Sequence, residues 1–128
     1  MRKHKRNAQG NCYEVAALLT TGLQHDDCLA DLCTVFNARP VLCHGIATGA
    51  PGSKIAGQQY GHAWVEVDAL VRERSNGNDM TIPRALYYRA GCIDPDKVVR
   101  YDEEQVRVMI LRYKHYGPWP CVPWTKEQ

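Results

Sequence analysis

His62-Ala63-Trp64-Val65-Glu66-Val67-Asp68-Ala69-Leu70-Val71-Arg72-Glu73-Arg74-Ser75 reads as two strands folded back on each other. Residues 62–67 alternate. Trp64 and Glu66 share the face of His62, while Ala63, Val65 and Val67 share the other. A period of two marks a strand with one buried face. A two-residue turn at Asp68-Ala69 pairs Val67 with Leu70, and each outward step keeps the sum of paired positions constant. Trp64 then lies opposite Glu73 and His62 opposite Ser75, with Glu73 on the histidine's face and within side-chain reach. A slip of one residue reverses the faces and turns Arg74 and Asn76 toward His62 instead. Glu73 is the first choice as the histidine's partner, and Asn76 is the alternative.

Upstream, residues 11–23 (NCYEVAALLTTGL) have helical spacing, with Val15, Leu18 and Leu19 on one face and Gly22 near the end. Asn11 suits the N-cap, which puts Cys12 in the first turn, where free amide hydrogens and the positive end of the helix dipole converge. A second helix is expected over 25–36, starting near Asp26 and Asp27. Pro40 interrupts the chain. Residues 41–47 (VLCHGIA) suit a strand, followed by a glycine-rich loop in which Lys54–Gln59 extends a strand toward His62.

Downstream, 76–78 (NGN) is a turn signal. Pro83 opens a helix running to about Ala90, with Gly91 as its stop. Asp102 begins the last helix; Asp102 and Gln105 have capping-box spacing, and Val106, Met109, Ile110 and Tyr113 form its apolar face. Gly117-Pro118 closes it. The order of helix, helix, strands, helix, helix lacks βαβ alternation and implies an α+β fold on an antiparallel sheet. The apolar, proline-rich tail GPWPCVPW is expected to pack back on the body.

The 128 residues suit one domain that needs no metal or disulfide staple, with residues 1–8 read as a flexible basic tail. A formal charge of +2 argues against a nucleic-acid partner despite the MRKHKR start. No run approaches the ~20 apolar residues of a membrane span. The six cysteines have no regular spacing and follow no secretory signal. They are read as reduced thiols in a cytoplasmic protein. Cys28, Cys33, Cys43 and His44 match no paired metal motif, so no metal or other cofactor is expected. His44 is a candidate flank of the His62 site, through a neighbouring strand.

A thiol at a helix start and a histidine opening a strand are the minimum for nucleophilic attack on an acyl carbon. Cys12 is the candidate nucleophile, expected to act as a thiolate held by His62 and the helix start. His62 is the base and Glu73 the group that fixes its tautomer. Gln9 and Asn11 are candidate donors to a tetrahedral intermediate, and Trp64 a packing wall beside the site.

Asn11-Cys12-Tyr13-Glu14, then 61–67 (GHAWVEV), then an acidic residue eleven positions after the histidine, resemble the papain-like and transglutaminase-like superfamily. The likeness is closest to its small bacterial and phage members and covers about residues 11–77. It implies a helix carrying the cysteine packed on a small antiparallel sheet, with further helices after it. It also implies acyl transfer on amides of a peptide or protein, whether hydrolysis, deamidation or cross-linking. Glu73 stands where that superfamily usually has Asp, and no glutamine lies at the papain-type distance before Cys12. Three functions compete: a cysteine-dependent amide-bond enzyme, an inactive binding module on the same fold, and a binder of anionic surfaces through residues 1–6.

Overall fold

A computed structural model of the chain describes residues 11–120. Helices α1 (Cys12–Thr21) and α2 (Asp27–Phe36) come first. Strands β1 (Val41–Thr48), β2 (Gln59–Val67), β3 (Leu70–Glu73) and β4 (Met80–Pro83) follow. Helix α3 (Arg84–Gly91), a 3-10 turn (Pro95–Lys97), β5 (Val99–Tyr101) and α4 (Glu103–Tyr113) complete the described chain. The five strands form one sheet in the order β4-β3-β2-β1-β5, antiparallel at every pairing. The fold is α+β.

The β2–β3 hairpin has the register set by its short turn: Val67 pairs with Leu70, Glu66 with Val71 and Val65 with Arg72. Asp68 adopts a left-handed conformation (φ 56°) that such a tight turn requires. The alternation then divides the core. Ala63, Val65 and Val67 pack with Cys12, Ala16, Ala17 and Leu19 of α1 and with Val106 and Met109 of α4. On the opposite face Trp64 packs with Cys43, Val71, Tyr88 and Ile93. Burying each such aliphatic side chain contributes roughly 1.5–3 kcal/mol.

Several elements differ from the sequence expectation. Lys54–Gln59 forms turns over 51–57, and β2 begins at Gln59. The segment is held by a Gly49 N–H bond to Gln58 O and a Gly57 N–H bond to Gly49 O, so its backbone groups are satisfied by turns. Strands β4 and β5 were not expected. Each is short, and each gains its place by pairing with a neighbouring strand, β4 with β3 and β5 with β1. Pro83 ends β4 and caps α3. Helix α4 has the expected capping box between Asp102 and Gln105 but stops at Tyr113, where Lys114 turns left-handed (φ 65°). In the tail, Trp119 is buried against Tyr101 and His44. The basic segment 1–8 lies outside the described residues, as does the tail beyond Pro120.

The ladder between β2 and β3 stops at Val65, whereas β2 continues to pair with β1 as far as Gln59. The first turn of α1 packs against β2 just beyond the last β2–β3 pair. The Tyr13 hydroxyl lies over Gly61 so closely that a Cβ there would be 2.5 Å from it. Cys12 lies against Ala63. This packing positions the site.

Candidate active site

Cys12 is 4% exposed. Burial raises its thiol pKa above the ordinary 9.0, and the charge of Glu73 adds to that rise. Three backbone N–H groups oppose it. Those of Ala63, Tyr13 and Cys12 itself reach the sulfur and favour the thiolate. Two of them are the free amides of a helix start. The third comes from β2 just past the point where β3 leaves it. Burial outweighs the amides, so the resting group is a thiol. The sequence reading of a standing thiolate is corrected on that point, because the helix-start argument takes no account of desolvation.

His62 lies on the other face of β2, stacked between Trp64 (ring centroids 5.7 Å apart, 28°) and Tyr87 of α3 (6.1 Å, 22°). Tyr60 meets its edge. Burial lowers the His62 pKa below its ordinary 6.5, and Glu73 partly offsets this. The ring is therefore neutral near pH 7. Its Nε2 is 2.6 Å from the Tyr87 hydroxyl and 3.8 Å from Glu73 Oε1. Tyr87 in turn donates to Glu73 Oε1, and Ser75 donates to Glu73 Oε2.

This chain of bonds settles where the protons sit. Burial, reinforced by the Glu73 charge, raises the Tyr87 pKa far above its ordinary 10.0, so the hydroxyl keeps its single hydrogen and gives it to Glu73. Its oxygen can then only accept from His62, which assigns the ring hydrogen to Nε2. His62 Nδ1 is left as the basic nitrogen. It is buried and has no hydrogen-bond partner among the described residues. Cys12 is close enough to Tyr87 and Tyr60 for its charge to raise both of their pKa values. The thiol thus lies within electrostatic reach of Glu73, Tyr60 and Tyr87.

Among the other expected residues, Asn11 occupies the N-cap position but makes no side-chain cap bond. Its Oδ1 accepts the backbone N–H of Asn76 at 2.9 Å. The residue before Cys12 is thereby tied to the loop that follows Glu73. Trp64 is buried, and its indole N–H donates to Glu66 Oε2 at 2.9 Å. Gln9 lies outside the described residues. His44 pairs with Ala63 across the sheet but faces away from His62. It sits in a cage of Tyr13, Tyr101 and Trp119, where burial lowers its pKa to about 4.

Tyr87 was missed from the sequence. It sits in the 83–90 helix, but nothing in the local pattern shows which face of that helix meets β2. Among the described residues no group of three or more His, Cys, Asp or Glu could hold a metal ion, and no helix is long and apolar enough to cross a membrane. Cys28 instead meets the Thr81 hydroxyl at 3.4 Å.

Beside His62 opens a cavity of about 260 Å³ between α3 and the end of the sheet. His62, Glu73 and Tyr87 form part of its wall. No family model, curated protein or solved structure matches the chain.

Proposed function

We propose that this chain is a cysteine-dependent amide-bond enzyme of the papain-like or transglutaminase-like type, acting on a peptide or protein through Cys12, His62 and Glu73. The observation that carries the reading is the unpartnered Nδ1 of His62, whose ring is held in the Nε2–H form by Tyr87 and Glu73. A buried basic nitrogen with no donor is costly unless a proton is to be delivered to it.

The chemistry follows from the protonation states. Both groups are neutral at rest, the one a thiol and the other an imidazole. His62 Nδ1 takes the Cys12 proton as the sulfur attacks the carbonyl carbon. The carbonyl π electrons move to oxygen, and the Cys12 and Ala63 N–H groups, which reach the sulfur at rest, are the donors proposed to receive that negative charge. The imidazolium is stabilised by Glu73, reached through Tyr87 and 3.8 Å away directly. On collapse, the C–N bond breaks, Nδ1 returns its proton to the leaving nitrogen, and a thioester remains. Water then completes a hydrolysis or a deamidation, and an amine completes a transfer. A cytoplasmic setting fits free thiols of this kind.

The test is the pH dependence of Cys12 alkylation by iodoacetamide, followed by mass spectrometry for each cysteine. At pH 7–8 Cys12 should react faster than buried Cys43. Its inflection should lie above 9.0, as a raised thiol pKa requires, and His62→Ala should slow it by at least ~10-fold at neutral pH. A Cys12 rate indifferent to His62 would remove the reading. Cys12→Ala should abolish turnover with an unchanged fold.

A second reading, an inactive binding module on the same scaffold, is favoured by the deep burial of the thiol. Function retained in Cys12→Ala would decide for it.

A further inference from the structure

The cavity beside His62 is walled mainly by aliphatic and aromatic groups, including Met80 and Ile82 of β4 and Ile93 after α3. Neither lysine nor arginine lines it. Its one carboxylate, Glu73, already accepts hydroxyl hydrogens at both oxygens. Its other polar groups are Thr48, the Tyr60 and Tyr87 hydroxyls, His62, and Asn76 and Asn78 of the loop that Asn11 ties to α1. Tyr60 on its wall remains 39% exposed, so the aromatic surface continues toward solvent. Cys12 does not line the cavity; it lies against Ala63, next in the chain to His62 on the cavity wall, and within electrostatic reach of Tyr60 and Tyr87.

We propose that this cavity receives an uncharged, apolar side chain belonging to the residue that supplies the acyl carbonyl. The inference rests on Cys12 being the nucleophile. A charged side chain would have to leave water for a wall offering no free counter-charge. An aliphatic or aromatic one would replace water against carbon on most sides.

The experiment uses N-acetyl-aminoacyl chloromethyl ketones carrying glycine, leucine, phenylalanine, lysine or aspartate. The Cys12 sulfur displaces chloride from the methylene carbon, and intact mass gives the rate. Leucine and phenylalanine should react more than about 10-fold faster than glycine, with lysine and aspartate no faster than glycine. Ala90→Trp, which fills the cavity from α3, should erase the leucine advantage while leaving the iodoacetamide rate at Cys12 unchanged. Equal rates for glycine and leucine, or lysine fastest of all, would overturn the proposal even with Cys12 reactive. Failure of iodoacetamide itself to modify Cys12 would remove the nucleophile and this inference together. The comparison of probes on the unaltered chain stands whether or not Ala90→Trp folds.

Discussion

Asp26 and Glu73 are both buried carboxylates, yet their surroundings differ in kind. Asp26 accepts from Arg72 at 2.8 and 3.0 Å and from Arg74 at 2.7 Å, besides capping α2 through the Leu29 N–H. These bonds hold its pKa well below the usual carboxylate range. Glu73 lies between those two arginines in sequence and is paired with neither. Alternation along β3 turns Arg72 toward α2 on one face and Glu73 toward His62 on the other. Glu73 receives two hydroxyl hydrogens and a neutral imidazole at 3.8 Å. A third buried carboxylate, Glu66, follows the first pattern, with Arg84 at 3.2 Å and Arg100 at 3.6 Å. Carboxylates that hold the fold together are matched by guanidinium groups. The one beside the histidine is left able to stabilise a charge that appears only when a proton moves.

The comparison is broken most directly at Asp26. Asp26→Ala leaves buried Arg72 and half-buried Arg74 with only the exposed Asp79 as counter-charge among the described residues, and should cost about 3 kcal/mol in chemical denaturation. Acid tests the same pair with a worked sign. A carboxylate with a depressed native pKa stabilises above its unfolded value of 3.8, and that contribution is lost as pH falls below it. His44 acts in a higher window. Its native value of about 4 lies under the ordinary 6.5, so it takes up a proton more readily when unfolded, and stability falls between those two pH values by roughly 3 kcal/mol. Melting temperature against pH should therefore decline in two stages. Asp26→Asn should remove the lower stage, and His44→Phe should shrink the upper, leaving the part that buried His62 contributes.

Glu73→Gln should behave oppositely to Asp26→Ala. Stability should change by no more than about 1 kcal/mol, since the amide oxygen still accepts from one hydroxyl. Turnover should drop about 100-fold or more, because the imidazolium loses its counter-charge and the ring its fixed tautomer. A large loss of stability with unchanged reactivity would place Glu73 with Asp26 as a structural group. Tyr87→Phe is the finest test. It leaves the carboxylate in place and removes the link, so His62 Nε2 must reach Glu73 directly or through water. A roughly 10-fold loss in rate is expected, with a shifted His62 inflection in the pH profile as the signature of a positioning role.

How much of this was legible from the chain depends on the distance over which each cause acts. The hairpin register follows from a two-residue turn and six alternating residues, so the placing of Glu73 within reach of His62 could be read directly, although the ladder ends at Val65 and Arg72, one step short of Trp64 and Glu73. The α1 and α4 helices carry their own start signals. Tyr87 could not be found, because its role depends on how α3 docks on a strand more than twenty residues earlier. Asn11 was read as a cap on local grounds, but its side chain is taken up by Asn76, 65 positions later. The state of the Cys12 thiol was misread for the same reason. The helix start is visible in sequence, whereas the desolvation that outweighs it is supplied by the whole core.

The bond between Asn11 and Asn76 also has a consequence in time. Cys12 emerges from the ribosome early, but the groups that would arm it lie at 62, 73 and 87. A nascent chain shorter than that carries an ordinary thiol, with no oriented base and no converging amide from β2. Any activation of Cys12 by these groups is thereby deferred until about two-thirds of the 128 residues, through Tyr87, have been made.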